Sequence, residues 1–127
     1  LAQEGAKYNV KINALAPTAG TRMTEGLIEE KAFALLTPET VTPAVLYLAS
    51  EDAPTRTILA AGAGSYAVAK IVETEGMWLP EAEQTPEGIA AHWAQISEGG
   101  ERALQAGFEQ SIKMVGQAAK GLGLDMG

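Results

Sequence analysis

Residues 64–70, GSYAVAK, contain the residue types of an acid–base site. Tyr66 and Lys70 are four positions apart, and Ser65 stands directly before the tyrosine. On a helix, residues four apart share a face, and a Lys ammonium there lowers the pKa of a neighbouring phenol. The chemistry of such a pair would be proton transfer in general acid–base catalysis.

The sequence around this pair predicts a strand instead of a helix. Residues four apart in a strand share a face but lie about 13 Å apart along it, too far for the ammonium to act on the phenol. We therefore predict that SYAVAKIVETEGMWLP forms a β-hairpin with Glu75 and Gly76 in its turn, and that Tyr66 and Lys70 are not a catalytic pair.

The single histidine is the next candidate for acid–base chemistry. His92 stands beside Trp93 and would be a general base if Glu87 or Glu98 were its partner, but a partly buried helix residue is the favoured interpretation. The serines lack the context of a nucleophile elbow, so a Ser-His-Asp site is unsupported. They are Ser50, Ser65, Ser97 and Ser111.

The stretch ETEGMWLPEAEQ is acidic and could pair carboxylates for hydrolysis, although a solvated loop is favoured. Trp78 and Trp93 could form a ligand platform, but packing in a core or an interface is the better interpretation. In the last predicted helix, apolar residues recur at steps of four, four, three and four, as in a coiled coil, and predict a packing seam. They are Leu104, Phe108, Ile112, Val115 and Ala119.

Composition narrows the function classes. The 127 residues carry a net charge of −7, which argues against nucleic acids and anionic membranes as partners. The absence of Cys excludes disulfides and thiolate chemistry and fits a cytoplasmic protein, and one His excludes a multi-histidine metal site within the chain. No signal peptide is visible, and the first residue, Leu1, indicates a trimmed start or a piece of a longer protein.

Hydrophobic periodicity predicts an α/β chain. The end of a helix at residues 1–5 precedes a strand at 10–16, a helix at 25–36 and a second helix that begins after Thr37. RTILAAGAG is a short apolar strand. Two further helices are predicted, one capped by Thr85 with Pro86 in its first turn, and one at 101–120.

NVKINALAPTAGTRMTEG, followed by LLTPETVTPAVLYLASEDAPTRTILAAGAG, resembles the C-terminal half of the short-chain dehydrogenase/reductase family. Within it, the sequence is most similar to (3R)-hydroxyacyl-CoA dehydrogenase domains of the multifunctional type and their bacterial relatives, over about residues 1–97. The resemblance implies a C-terminal fragment of a doubly wound Rossmann-like fold: two parallel strands with crossover helices, a hairpin, then two helices. Residues 1–80 would be the dehydrogenase-like portion and 81–127 a helical extension.

The resemblance also implies a cofactor site for NAD or NADP. The loop after the first strand would pass over the nicotinamide, with Thr21 bonding its carboxamide and Arg22 opening the substrate-side helix. Thr18 stands where a Gly is common in the family. The implied cofactor-binding residues are Pro17, Thr18, Ala19, Gly20, Thr21 and Met23.

Two features of the family have no counterpart in these residues. The glycine-rich phosphate loop belongs to the first strand of the parent fold, and the catalytic Ser and Tyr-x-x-x-Lys come before the NALAP strand. The resemblance therefore implies the C-terminal part of an oxidoreductase for hydroxyacyl thioesters or similar alcohols, inactive as a dehydrogenase alone. The alternative is a free-standing oligomeric protein with a binding role or an adventitious hydrolase activity. Either way, an open strand edge predicts a homo-oligomer, in which elements could be swapped between copies; a remodelled fold with helices packed on a small sheet is the competing prediction.

Overall fold

The computed structural model describes residues 1–126 and divides the chain into two compact units, Leu1–Lys70 and a second that begins at Ile71. None of the helices in the described residues is both long and apolar enough to cross a membrane. The predicted boundary between residues 80 and 81 separates a dehydrogenase-like portion from a helical extension. The two compact units are defined by packing and do not test that boundary, which stays a prediction.

A small three-stranded sheet organises the first unit. Its strand order is β1-β2-β3; β1 runs parallel to β2, and β3 is antiparallel to β2. The elements are α1 (Ala2–Ala6), β1 (Ala14–Pro17), α2 (Glu30–Leu35), a 3-10 turn (Pro38–Thr40), α3 (Thr42–Leu48), β2 (Ile58–Gly62) and β3 (Ser65–Ala69). The parallel pair with intervening helices confirms the predicted fold class.

The core of the first unit is made of small residues. Val41, Ala44 and Ala61 are buried, and partly buried apolar side chains pack against them. Such short side chains bring α3 close to the sheet. Directly before β1, the Asn13 side-chain amide donates to Pro54 O (2.7 Å) and accepts from Thr57 N (3.1 Å). These two hydrogen bonds fix the chain where it enters β2.

Helices and one short strand pair form the second unit. Its elements are β4 (Val72–Glu73), a 3-10 turn (Glu81–Glu83), α4 (Pro86–Ala91), α5 (Trp93–Ser97), β5 (Arg102–Ala103) and α6 (Gly107–Leu122). Strands β4 and β5 pair antiparallel. The predicted cap of α4 is confirmed, because the Thr85 hydroxyl accepts from Gly88 N at 3.0 Å.

The predicted hairpin with its turn at Glu75 and Gly76 is wrong. The hairpin is β2–β3, turned by Ala63 and Gly64, whose φ values of 51° and 76° match the positive φ pair of a type I′ turn. Glu75 N instead donates to Gly99 O at 3.1 Å, so the chain after β4 pairs with a segment distant in sequence.

The predicted helices at 25–36 and 101–120, and the predicted helix that begins after Thr85, are also shorter or broken. Gly26, with φ of 80°, keeps the chain before α2 in turns. The second helix breaks at His92 into α4 and α5, and β5 occupies the start of the third. The predicted strand at 10–16 narrows to β1, because only Ala14–Pro17 pair with β2.

Candidate functional site

The predicted cofactor loop leaves the carboxyl end of β1, beside the carboxyl end of the parallel strand β2. Thr18 N continues the sheet pairing by donating to Ala61 O at 2.8 Å. Gly62 allows this approach, because a Cβ atom there would lie 2.8 Å from Thr18 O. In open α/β folds, ligands bind in the crevice outside the carboxyl ends of the strands, so the loop lies where such a ligand would bind.

Thr24 and Gly20 hold the loop in shape. The Thr24 hydroxyl accepts from Thr21 N at 2.9 Å and lies 3.1 Å from Thr21 O, one of the two carbonyls to which it can donate. Gly20 N donates to Leu36 O, and a Cβ atom at Gly20 would lie 3.1 Å from that oxygen. The loop is therefore fixed by its own bonds and by the end of α2, before any ligand arrives.

The loop presents two exposed hydroxyl groups and one thioether. The Thr21 hydroxyl accepts from Met23 N at 3.3 Å and keeps its proton for a ligand. The Thr18 hydroxyl forms no hydrogen bond with any of residues 1–126, and the Met23 side chain is 88% exposed. Arg22 and Met23 lie in consecutive turns and not in a regular helix, which differs from the helix opening that the resemblance implies.

A small cavity of about 250 Å³ opens beside this loop. Apart from Leu36, the side chains around it are small. Its lining includes Thr18, Leu36, Ala60, Gly62 and Ser65. Of the six predicted cofactor residues, Thr18 lines this cavity and the other five do not, and all six stay a prediction as binding residues.

Tyr66 has a structural partner. It lies in β3, as the strand interpretation predicted, and its hydroxyl donates to Thr40 O at 2.7 Å. Lys70 follows the end of β3. A hydroxyl that donates to a backbone carbonyl of the 3-10 turn is in a different setting from the helical acid–base pair.

His92 lies at the break between α4 and α5, with 27% of its side chain exposed. Its Nδ1 bonds Gly88 O at 2.9 Å, and its Nε2 lies 3.7 Å from a Glu83 carboxylate oxygen. The carboxylate that faces it is therefore Glu83 and not Glu87 or Glu98. Ser97 donates to Trp93 O (2.7 Å), so its hydroxyl serves the helix backbone.

Metal chemistry has no visible support in residues 1–126, where no group of three or more His, Cys, Asp or Glu could hold an ion. Two residues that position the loop, Thr24 and Gly62, were not identified from the sequence. The signal for Thr24 is its spacing three residues after Thr21, at which a hydroxyl commonly bonds a nearby backbone amide. Gly62 has no local signal, since its role depends on Thr18 in the loop after β1.

The parallel pair with this loop at its carboxyl end is a portion of a doubly wound α/β fold. No protein-family profile matches the chain. It is 37% identical over 99 residues to a Mycobacterium tuberculosis protein described as a short-chain type dehydrogenase/reductase, an alignment that covers 77% of this chain and 34% of the relative. It is 36% identical over 101 residues to the peroxisomal hydratase-dehydrogenase-epimerase of Saccharomyces cerevisiae, covering 77% of this chain and 11% of that enzyme.

The solved structure of full-length peroxisomal multifunctional enzyme type 2 from Drosophila melanogaster matches with a TM-score of 0.77 at 26% identity, covering 94% of this chain and 22% of the other. The predicted resemblance is confirmed: the chain is homologous to part of the short-chain dehydrogenase/reductases and of the multifunctional enzymes type 2. It spans about a third of the length of the mycobacterial relative and less of the others.

Proposed function

We propose that this chain is the C-terminal part of an NAD(P)-dependent short-chain oxidoreductase that acts on a hydroxyacyl thioester or a similar alcohol. The observation that carries the proposal is the loop at residues 17–23, fixed at the carboxyl ends of two parallel strands. The homology to dehydrogenases supports the reaction class.

In this proposal the loop binds the nicotinamide end of the cofactor. Thr21 keeps a hydroxyl proton that can be donated to the carboxamide oxygen, and the exposed Met23 side chain offers an apolar contact to the ring. Because Thr24 and Gly20 already fix the backbone, little conformational entropy is lost when the cofactor binds. The cofactor would supply hydride transfer, and these residues would bind and orient it.

The 127 residues contain no glycine-rich phosphate loop at the start of a βαβ unit and no helical Tyr-Lys pair. Backbone amides at such a loop provide much of the grip on a dinucleotide. We therefore expect the chain alone to bind NADH or NADPH only at millimolar concentration and to show no dehydrogenase activity with a hydroxyacyl thioester.

The test is titration of the labelled chain with NADH and NADPH, followed by amide NMR shifts. We expect the shifts to concentrate at residues 17–23 and at Gly62. Thr21→Val, which removes the hydroxyl, should weaken binding about tenfold, a loss of about 1.4 kcal/mol, while Thr21→Ser should restore it. Shifts that avoid the loop, or equal binding by the Val and Ser variants, would refute the assignment.

The alternative, an oligomeric protein with a different activity, has one observation in its favour. Strand β1 is an edge strand of the sheet in this unit, and an unpaired edge can pair with a second copy. Light scattering on the NMR sample at low micromolar concentration tests this: a dimer or larger mass supports self-association, and a monomer contradicts it. Tight, micromolar dinucleotide binding by an oligomer would show a site completed between copies.

A further inference from the structure

The second unit contains a cavity of about 530 Å³. Volumes of this size are typical of sites for small organic molecules. Its walls come from the segment after β4, from α4 and α5, and from one side of α6. The apolar lining residues are Met77, Trp78, Leu79, Ile89, Ile96 and Met114.

Side chains fix the cavity wall by donating hydrogen bonds to its backbone carbonyl groups. The Thr74 hydroxyl donates to Ile96 O (2.6 Å), and the Gln84 amide donates to Leu79 O (2.9 Å). Trp78 packs directly on the backbone of α6 at Gly121, where a Cβ atom would lie 2.2 Å from the indole ring. These contacts fix the position of the residues that line the cavity.

The charges on the wall disfavour an anion. Lys113 is ion-paired with Glu73 and also donates to Thr74 O at 2.9 Å, so its charge is already neutralised. Glu75 adds a second carboxylate, which the Gln117 amide contacts without cancelling its charge. The cavity wall therefore carries two carboxylates and one ammonium, and this net negative charge would repel a ligand that carries a carboxylate or phosphate.

Among the polar side chains of this wall, Lys113 offers a hydrogen-bond donor to a ligand. A Lys ammonium has three N–H donors, and Lys113 uses two of them, one on Glu73 and one on Thr74 O. The third can be donated to an uncharged oxygen without disturbing the ion pair.

We propose that this cavity binds one small uncharged aliphatic molecule with a single hydroxyl or carbonyl oxygen, such as a medium-chain alcohol or ketone. The hydrocarbon contacts the Met and Trp side chains, and the oxygen accepts from Lys113. The proposal does not rest on the cofactor loop, which lies in the other unit, and it assigns binding without catalysis.

The test uses the full 127-residue chain and the neutral fluorophore N-phenyl-1-naphthylamine. In a Trp93→Phe background, Trp78 is the remaining tryptophan, and energy transfer from it reports a probe in the cavity. We expect saturable binding of one probe, displaced by octanol at a concentration about tenfold lower than by octanoate. Absent saturation, displacement by octanoate as readily as by octanol, or an octanol-induced pattern of NMR shifts that omits the Trp78 indole would overturn the proposal.

Two variants of one helix supply the matched control. Met114→Glu adds a carboxylate to the cavity wall, and Ile112→Glu adds one to α6 outside the cavity; these side chains are 55% and 70% exposed, so both variants should fold. We expect Met114→Glu to weaken octanol binding about tenfold and Ile112→Glu to change it less than about twofold. The reverse order would place the ligand on the exposed apolar side chains Phe108, Ile112 and Val115 of α6 and overturn the proposal.

Discussion

Backbone hydrogen bonds of the sheet hold the first unit together, whereas side chains that bond to backbone carbonyls connect the segments of the second. In the first unit, β2 pairs with a strand on each side over four or five residues. In the second, β4 and β5 pair over two residues, and Thr74, Lys113 and Gln117 link distant segments through side-chain bonds.

This difference predicts which substitutions lower the stability of each unit. A sheet keeps its backbone hydrogen bonds when a side chain is substituted. In the second unit, a single substitution can remove a contact between distant segments, because individual side chains and close backbone approaches make these contacts. Fluorescence can separate the two, because all three tyrosines, Tyr8, Tyr47 and Tyr66, lie in the first unit and both tryptophans lie in the second.

The largest effect is expected at Gly88 in the second unit. A Cβ atom there would lie 1.8 Å from Glu83 O, so Gly88→Ala forces the 3-10 turn away from α4 and should lower the free energy of unfolding by about 3 kcal/mol. Urea unfolding followed by Trp fluorescence measures it. Gly116→Ala is the control, since nothing lies within 4 Å of its Cβ position in α6, and it should stabilise by about 1 kcal/mol. Similar losses in both variants would contradict the close approach.

A smaller effect is expected in the first unit at Tyr66. Tyr66→Phe removes the hydrogen bond to Thr40 O and should cost about 1 kcal/mol, measured by urea unfolding with Tyr fluorescence. Tyr8→Phe is matched to it, because the Tyr8 hydroxyl has no hydrogen-bond partner in residues 1–126, and its effect should be close to zero. If the two variants lost equal stability, the sheet would not depend on the Tyr66 bond.

The smallest effect concerns the pH dependence of the second unit. The hydrogen bond from Lys113 lowers the pKa of Glu73 below its ordinary value of 4.5, against an opposing contribution from desolvation and with help from Gln110. A carboxyl with a lowered folded-state pKa stabilises the fold above its unfolded-state pKa, and this stability is lost as pH falls through the folded-state value.

Glu73→Gln should therefore be less stable than the natural chain at neutral pH, and the difference should vanish in acid below the lowered pKa. Urea unfolding by Trp fluorescence at several pH values measures it, with Glu98→Gln as a control at an exposed carboxyl without an ion pair among the described residues. A difference that persisted in acid would mean that Gln is poorly accommodated for steric reasons.

Local sequence predicted the parts whose cause is local. Thr85 and Pro86 start α4 because a capping hydroxyl and a fixed φ act within one turn. The motif NALAPTAGTRMT predicted both the strand and the loop that carry the candidate site. The hairpin turn was misplaced because Glu75 and Gly76 have turn propensity, yet Glu75 N finds its partner in Gly99. Pairing between distant segments overrides such propensity.

By itself, the sequence determined the α/β class, the parallel strand pair and the homology to dehydrogenases, because hydrophobic periodicity and sequence motifs depend on residues close together along the chain. Only the tertiary structure decided that Tyr66 bonds Thr40, that His92 faces Glu83, and that Gly62 makes room for Thr18. The same holds for the cavity beside Trp78, whose walls come from residues 73–117. Each of these contacts joins residues that are separated along the chain, and their energies depend on distances that only the folded backbone sets.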